Sequence, residues 1–440
     1  MTNRDIVEKL RNLIKEIQSR EAALGKNSFE PSLEKPSLTG GFLVDSSCVS
    51  GEDTCSQSEP EILRPSRKPE IIEKEGYCVY TTVYTAGSLP WFYPPPLETV
   101  VLLTGEENPG AIVDALSLNQ TLFLDLETTG LLGAGTVSFL TGLGRWKKDE
   151  FHVLQFLLSE RDCEATMLEE LARELEGSRV LVTFNGKAFD MPVIRNRFIM
   201  NGLIHDFHDF DSHIDLFSLV RKLGKHPVYG LSLTESVKRF IGTSRVDDIP
   251  GHMIPALYFI YEQDKDISIL EPVLEHNLLD ILDMVGLLRV LGLTFSGKHR
   301  PYGDASALAG VGRFHLSRGG LELARQCLGT SLACFEDRPA HDKRRFKNMR
   351  LLATVMRKQG DWDAAAGIWN HLISRGVAVV DDYLWLARHY ELHENDIMKS
   401  LNLVNQCADW LKESKYPVSN AVMSRKRRLE RIISKMALGL

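Results

Sequence analysis

The sequence predicts an α/β domain with a mixed sheet covered by helices on both faces, followed by an all-helical C-terminal domain. Three observations predict this fold class. Apolar, β-branched runs are separated by short polar breaks, and helix-like segments then alternate with a further strand-like run. After residue 301 the strand-like runs stop and the apolar residues follow helical spacing. Three adjacent strands followed by alternating helices and strands are typical of a mixed sheet with helices on both faces.

The elements of the α/β part can be placed in order. Strands are expected over residues 78–85, 121–127, 137–144, 151–158 and 179–184. Short polar breaks join the second, third and fourth of these runs, which favours an antiparallel meander. Apolar residues that recur at i, i+3 and i+4 predict helices between and after the strands. These helices are expected over residues 165–177, 191–202, 213–224, 232–242 and 274–292.

Composition divides the chain into four parts. Residues 1–24 place apolar side chains on one face of a helix, and residues 25–70 are rich in Ser, Glu, Pro and Gly, which is typical of a flexible linker. The α/β domain is expected over residues 71–298. The helical domain, residues 301–440, contains three copies of a pattern of apolar and small residues. The first two copies are 41 residues apart, and the second and third are 34 apart, which is the tetratricopeptide period. The basic segment 424–436 is interpreted as a cap on these repeats, with nucleic-acid contact as the alternative.

Composition also argues against several classes of protein. The sequence has no run of eighteen apolar residues and no apolar secretory signal, so we expect no membrane segment. Seven scattered cysteines without a CxxC pair argue against disulfides and structural zinc, which favours a cytoplasmic location. The formal net charge is −7, so any contact with nucleic acid requires a local basic surface and bound cations.

Acidic residues occur in three separate segments that the fold could bring close together. Asp125 and Glu127 lie at the end of a strand-like run with one residue between them, so both carboxylates emerge on one face. Asp190 begins a helix directly after another strand, while His276 and Asp280 are one helical turn apart on a third segment. Singly, these residues suit a polar strand end, a helix cap and a solvated stripe. Together and in this order, they favour a shared site.

Such a cluster is suited to phosphodiester hydrolysis. Crowded carboxylates raise one another's pKa values unless cations compensate their charge. Hard divalent ions such as Mg²⁺ or Mn²⁺ prefer oxygen ligands. Two of them roughly 3.5–4 Å apart can hold the attacking and leaving oxygens of an in-line displacement. A neighbouring imidazole is suited to take the proton of the attacking water. We therefore predict a two-metal nuclease site.

These residues carry a resemblance to a known family. FLDLETTG (123–130), FNGKAFDMPVI (184–194) and HNLLD (276–280) are similar to the three motifs of the DEDD (DnaQ-like) 3′–5′ exonucleases. The fuller pattern, which includes RVDDIPG (245–251), resembles the YprB-like ribonuclease-H-like family, bacterial proteins with a C-terminal tetratricopeptide region. The resemblance is close over roughly residues 75–295. It implies a ribonuclease-H-like fold and a relationship to the mitomycin-repair exonuclease.

The resemblance also implies roles for the predicted site residues. Asp125, Glu127 and Asp280 would ligate one metal, Asp125 would bridge to the second, and Asp190 would hold that second metal partly through water. His276 would be the general base. The sequence departs from the family here, because a histidine base is usually five residues before the last Asp, and His276 stands four residues before Asp280.

Residues next to these carboxylates are candidates for substrate contact. Thr128 and Asn185 adjoin the catalytic motifs, so we expect them to contact the terminal nucleotide. Lys187 belongs to a basic group around the second motif, for which phosphate contact and ordinary solvated surface are equally open. Its other members are Arg195, Arg197, Arg221, Lys222 and Lys225. The polar segment 205–215 is interpreted as a loop rather than a metal cluster, although the family pattern has an Asp at Asp215.

Two further functions stay open. An exoribonuclease of the same fold would recognise the ribose 2′-hydroxyl, and nothing in the sequence identifies that contact. A non-catalytic scaffold would recruit proteins through its repeats, but it has no need to crowd four acids. DNA in repair is the favoured substrate. The resemblance further implies a helicase or other protein as partner of the tetratricopeptide region.

Overall fold

The chain divides into two compact units in the computed structural model. The first comprises Met1–Arg221 and Lys225–His299, and the second comprises Lys222–Gly224 and Arg300–Leu440. The structure describes residues 63–104, 117–130, 135–225, 228–245, 248–301, 304–335 and 342–437. The predicted helix over residues 1–24 and most of the predicted linker lie outside these residues.

Seven strands form one sheet in the first unit. They are β1 (Glu70–Lys74), β2 (Tyr77–Thr85), β3 (Thr121–Thr128), β4 (Ser138–Lys147), β5 (Glu150–Leu158), β6 (Val180–Thr183) and β7 (Ser212–Asp215). Their order in the sheet is β1-β2-β5-β4-β3-β6-β7. Neighbours from β1 to β3 are antiparallel, whereas β6 and β7 extend the sheet in parallel. The predicted mixed sheet, including its antiparallel meander, is therefore confirmed.

Helices of the first unit place polar residues against the ends of these strands. They are α1 (Leu97–Thr104), α2 (Glu164–Leu175), α3 (Asp190–Met200), α4 (Leu216–Leu223), α5 (Leu233–Phe240), α6 (Ile254–Asp264) and α7 (Glu271–Phe295). The long helix α7 packs on β3, β4 and β5. Two glycines of β4 allow this close approach. A Cβ on Gly144 would lie 2.6 Å from Cγ2 of Ile281, and one on Gly142 would overlap the side-chain amide of Asn277.

Two segments differ from the sequence-based expectation. The sequence does not predict β1, which begins at the last residue of the expected linker, because its five side chains are all exposed and give no alternating pattern. The helix expected over 213–224 begins only at Leu216, because residues 212–215 pair with β6. Asp215 ends that strand, and its Oδ1 accepts a hydrogen bond of 3.1 Å from the N–H of Phe217. This acceptor favours the start of a helix at that point.

The second unit is helical throughout its described residues. Its helices are α8 (Ala305–Ser317), α9 (Leu321–Ala333), α10 (Lys343–Lys358), α11 (Trp362–Ser374), α12 (Val380–Leu392), α13 (Ile397–Glu413) and α14 (Asn420–Ala437). Ala353 and Ala387, at equivalent positions of two predicted repeats, are both fully buried. The predicted all-helical domain is confirmed, and the tetratricopeptide assignment stays a prediction. None of the helices among the described residues is long and apolar enough to cross a membrane.

Candidate metal centre

The first carboxylate of the site is held by an amide network on α7. Asp125 lies where β3 leaves the core, since the four residues before it are buried and the strand is half-buried from there on. Its Oδ2 accepts a hydrogen bond of 2.8 Å from Nδ2 of Asn277. Oδ1 of Asn277 in turn accepts one of 2.9 Å from Nε2 of Gln155, and Asn277 is fully buried. The network fixes the direction of the Asp125 carboxylate.

The second carboxylate is held by the backbone of β3. Asp190 opens α3, and its Oδ1 accepts a hydrogen bond of 3.2 Å from the N–H of Leu126, between the two acids of β3. The turn before α3 is tight. Asn185 has a positive φ of 66°, and a Cβ on Gly186 would lie 2.8 Å from Oδ2 of Asp190. Oδ1 of Asp215 accepts a hydrogen bond of 2.9 Å from the N–H of Asn185, so Asp215 supports this turn.

The third part of the site joins β3 to α7. Glu127, His276 and Asp280 each direct one ligand atom to a common point, and these atoms all lie within 4.8 Å of one another. Nε2 of His276 is 3.7 Å from Oδ2 of Asp280, one turn further along α7. The two carboxylates are oxygen donors of the kind that Mg²⁺ and Mn²⁺ prefer, and the imidazole nitrogen lies beside them. The structure therefore brings all five predicted site residues together.

The electrostatics of the acids favour a bound cation. Burial, followed by repulsion from neighbouring acids led by Asp280, raises the pKa of Asp125 well above its ordinary value. The same two causes raise the pKa of Glu127 well above its ordinary value. Burial raises the pKa of Asp190 to about 7, against backbone hydrogen bonds that lower it. Such raised values mark negative charge that the protein leaves without compensation. A divalent ion would supply the missing positive charge, so the residues fit the metal that the motif implies.

The buried side chain of Arg245 supplies positive charge next to Asp280. Arg245 donates from Nη2 to Asp280 and to Oδ2 of Asp283, the latter at 2.6 Å, and from Nη1 to Oδ2 of Asp248 at 2.9 Å. Its side chain is 8% exposed, so these are buried ion pairs. Sequence reasoning assigns no role to Arg245, although it opens the RVDDIPG segment. The partners are 3 to 38 residues away along the chain, and no local pattern predicts such pairing.

A second hydrogen bond from the same segment holds the histidine. Oδ1 of Asp248 lies 2.6 Å from Nδ1 of His276. Burial raises the pKa of Asp248, but the hydrogen bond from His276 and the charge of Arg245 bring it below its ordinary value. An ionised Asp248 accepts the hydrogen on Nδ1, so in the neutral imidazole the lone pair is on Nε2, the nitrogen nearer Asp280. Asp248 is thus a further member of the site that sequence reasoning misses.

A cavity of about 500 Å³ opens beside Arg245. Arg245, Asp248 and Asp283 form its polar side, and Trp91 and Leu279 belong to its apolar side. This volume lies within the range of small-molecule sites in proteins. The cavity is therefore large enough for a nucleoside, and Arg245 connects its wall to Asp280 of the site.

The residues expected to bind substrate differ in their surroundings. Oγ1 of Thr128 donates a hydrogen bond of 2.7 Å to the carbonyl of Gly130, which fixes the turn after β3. Lys187 is exposed beside the turn that carries Asp190. Arg197 corrects the expectation for its group, because it is buried and paired with Glu164, with Nε to Oε1 at 2.6 Å. It is neither solvated surface nor free to contact a phosphate.

Residues 122–291, which include all five predicted site residues, match the model of the RNase_H superfamily. This part of the chain is therefore a ribonuclease-H-like domain. Over 352 residues the chain is 29% identical to the uncharacterized protein YprB of Bacillus subtilis (strain 168), covering 77% of this chain and 82% of that protein. Among solved structures it is similar to a family B DNA polymerase from the hyperthermophilic archaeon Pyrobaculum calidifontis. That match has 16% identity and a TM-score of 0.32, and it covers 52% of this chain and 28% of the polymerase.

Proposed function

We propose that the protein is a divalent-metal-dependent 3′–5′ exonuclease that acts on DNA in repair. One observation supports this above the others. Three crowded carboxylates, those of Asp125, Glu127 and Asp190, have raised pKa values in a ribonuclease-H-like domain. A binding module gains nothing from such unfavourable crowding, whereas a metal-dependent phosphodiester hydrolase requires it. The direction of cleavage and the link to mitomycin repair are drawn from the resemblance of the three motifs.

The acids of the site would hold Mg²⁺ or Mn²⁺. Asp125, Glu127 and Asp280 would hold one ion, and Asp125 and Asp190 would hold a second. Bound divalent ions neutralise phosphate charge and lower the pKa of a coordinated water. The chain itself fixes the ligands in advance. Asn277 directs the carboxylate of Asp125 through the hydrogen bond of 2.8 Å from its Nδ2.

His276 is proposed as the general base. Its Nδ1 is occupied by the hydrogen bond to Asp248, so the free lone pair of Nε2 points toward Glu127 and Asp280. A water at this point could pass its proton to Nε2 as it attacks the phosphorus. The spacing of four residues to Asp280 supports this arrangement, since it keeps the imidazole on the same face of α7 as the carboxylate.

The substrate is proposed to enter with its 3′ end at the carboxylates. Thr128, Asn185 and Lys187 stand close in sequence to Glu127 and Asp190 and would contact the terminal nucleotide. The cavity of about 500 Å³ beside Arg245 offers space for a nucleoside. Its aromatic wall at Trp91 suits the face of a base.

Degradation of 5′-labelled oligonucleotides in the presence of Mg²⁺ or Mn²⁺ tests this proposal. A 3′–5′ exonuclease shortens the labelled strand stepwise, and single-stranded, duplex and gapped DNA together with RNA define its substrate. Asp125→Asn and Asp280→Asn should abolish cleavage. Glu169→Gln removes the same charge from an exposed position of α2 and should leave cleavage unchanged. Full activity in either aspartate variant, or no degradation of any of these substrates with either metal, overturns the proposal.

A further inference from the structure

Positive charge is concentrated in the second, helical unit. Residues 301–440 contain 22 Lys and Arg against 15 Asp and Glu, whereas residues 1–300 contain 30 against 44. The net charge of the whole chain is −7, but its C-terminal part is basic. Such an asymmetry between the two parts of a chain is an electrostatic signature of nucleic-acid contact.

Helices α10 and α14 carry most of this charge, and α14 presents it at the end of the unit. Helix α14 contains six Lys and Arg against the single acid Glu430. Its buried residues are Val422 and Leu429, which attach it to the core of the second unit. Arg427, Arg428, Arg431 and Lys435 are exposed. Packing thus requires two apolar residues of this helix and does not account for its arginines.

Two arginines of α14 share one acid on α12. Glu391 is 5% exposed, and its carboxylate accepts from Arg425 at 2.9 Å and from Arg428 at 2.5 Å. A single carboxylate cannot neutralise two guanidinium groups. Burial lowers the pKa of Arg425, Glu391 opposes this, and repulsion from Arg428 and Arg388 lowers it further. The arginines are therefore held together with excess positive charge.

Aromatic rings continue the same surface. Cζ of Arg357 lies 3.8 Å from the ring centroid of Trp385, and Cζ of Arg388 lies 5.7 Å from it. Arg357 also lies 6.0 Å from the centroid of Trp362. Trp385 is half-buried and Arg388 is exposed, so both can be reached from solvent. Nε of Arg357 has no hydrogen-bond partner among the described residues.

We propose that Arg357, Trp385, Arg388, Arg425 and Arg428 form a basic–aromatic surface that binds single-stranded nucleic acid. The arginines contact successive phosphates, and the part of Trp385 that Arg357 and Trp369 leave exposed contacts a base. An acidic peptide would satisfy the arginines alone and has no use for an aromatic side chain, so a nucleic-acid strand fits the surface better. This binding function is separate from the proposed hydrolysis.

Fluorescence anisotropy with the full chain tests the surface in EDTA, where no cleavage occurs. The probe is a fluorescein-labelled oligothymidylate of 20 nucleotides. Arg388→Gln and Arg428→Gln should each weaken binding several-fold, and each should lower the slope of log K against log salt by about 0.7, the value for one single-strand phosphate. Lys412→Gln is the matched control, because Lys412 is an exposed cation of α13 outside the surface. Its affinity should stay within about twofold of the parent, a margin well below the loss of one phosphate contact.

Photocrosslinking locates the strand independently of affinity. An oligonucleotide with 5-iodouracil should crosslink to the peptide that contains Trp385, and Trp385→Leu should remove that crosslink. The Arg388→Gln/Arg428→Gln double variant should still cleave a trinucleotide at the parental rate, whereas Asp125→Asn should lose cleavage and retain the crosslink. Unchanged affinity and salt slope in the double variant overturn the proposal. So does a surface that binds a polyglutamate peptide more tightly than the oligothymidylate.

Discussion

Replacing Asp248 by alanine removes the acceptor that orients His276 while leaving every proposed metal ligand in place. The hydrogen bond lost is the one of 2.6 Å between Nδ1 and Oδ1. A hydrogen bond to a charged group contributes about 1.5–3 kcal/mol. If this amount is lost in the transition state, kcat falls about 10- to 150-fold, since 1.36 kcal/mol corresponds to a factor of ten in rate. Any change in KM should be similar in Asp248→Ala and Asp283→Ala, because both side chains line the cavity that is proposed for the nucleoside.

The matched control is Asp283→Ala. Asp283 also accepts hydrogen bonds from Arg245, at 2.6 and 2.9 Å, but its described contacts do not include His276. Both variants therefore disturb Arg245, and only Asp248→Ala disturbs the histidine. A steady-state comparison of kcat and KM on a 5′-labelled oligonucleotide separates the two effects. Equal losses of kcat in both variants would show that Arg245, rather than the orientation of His276, is responsible.

The position of the imidazole hydrogen can be measured directly. In protein labelled with ¹⁵N-histidine, Nδ1 of His276 should show the shift of a protonated nitrogen and Nε2 that of a nitrogen with a free lone pair. Asp248→Ala should shift this tautomer distribution, and His276→Gln assigns the resonances. A protonated Nε2 in the neutral imidazole of the parental protein refutes the reasoning, whatever the activity.

Three further predictions concern packing and charge. Gly142→Ala should displace the Asn277 side chain, destabilise the protein by about 1–3 kcal/mol as overpacking does and lower kcat; an unchanged melting temperature and kcat would contradict this. Arg245→Met leaves Asp280 and Asp283 buried without their partner and should destabilise the metal-free protein by about 3–5 kcal/mol in urea titrations; Mn²⁺ should restore part of this loss, and an unchanged midpoint would refute it. Metal removal by EDTA should lower the melting temperature of the parental protein, since an ion at one hundred times its Kd contributes about 2.7 kcal/mol; an Asp125→Asn variant should lose most of that difference.

The sequence predicts the central strands of the sheet better than its edge strands. Strands β3, β4 and β5 are long apolar runs, so their pattern identifies them before any pairing is known. β1 has five exposed side chains and takes its conformation from pairing with β2, which the sequence does not express. β7 has only four residues, and its parallel pairing with β6 overrides the helical pattern that continues from Leu216.

The same contrast holds within the candidate site. Acids at strand ends and helix starts have local signatures, so the five predicted residues can be chosen from sequence. Asn277 stands next to His276, but nothing in the sequence around its amide indicates that it contacts Asp125. Arg245 and Asp248 lie on a segment without periodicity, and their roles arise from ion pairs across the fold. For these residues only the RVDDIPG motif could have drawn attention, and the motif carries no chemistry by itself.

Because of Arg245, the protein can fold before its metal ions bind. Carboxylates without any compensating positive charge would be costly to bury before metal ions bind. The chain would then have to bind its metal before folding is complete. Here the guanidinium compensates part of the negative charge of Asp280 and Asp283, and bound protons can compensate part of the remainder, since the pKa of Asp190 is raised to about 7. The polypeptide can then close first and exchange protons for metal afterwards. Metal uptake by the folded protein should accordingly release acid into a weakly buffered solution.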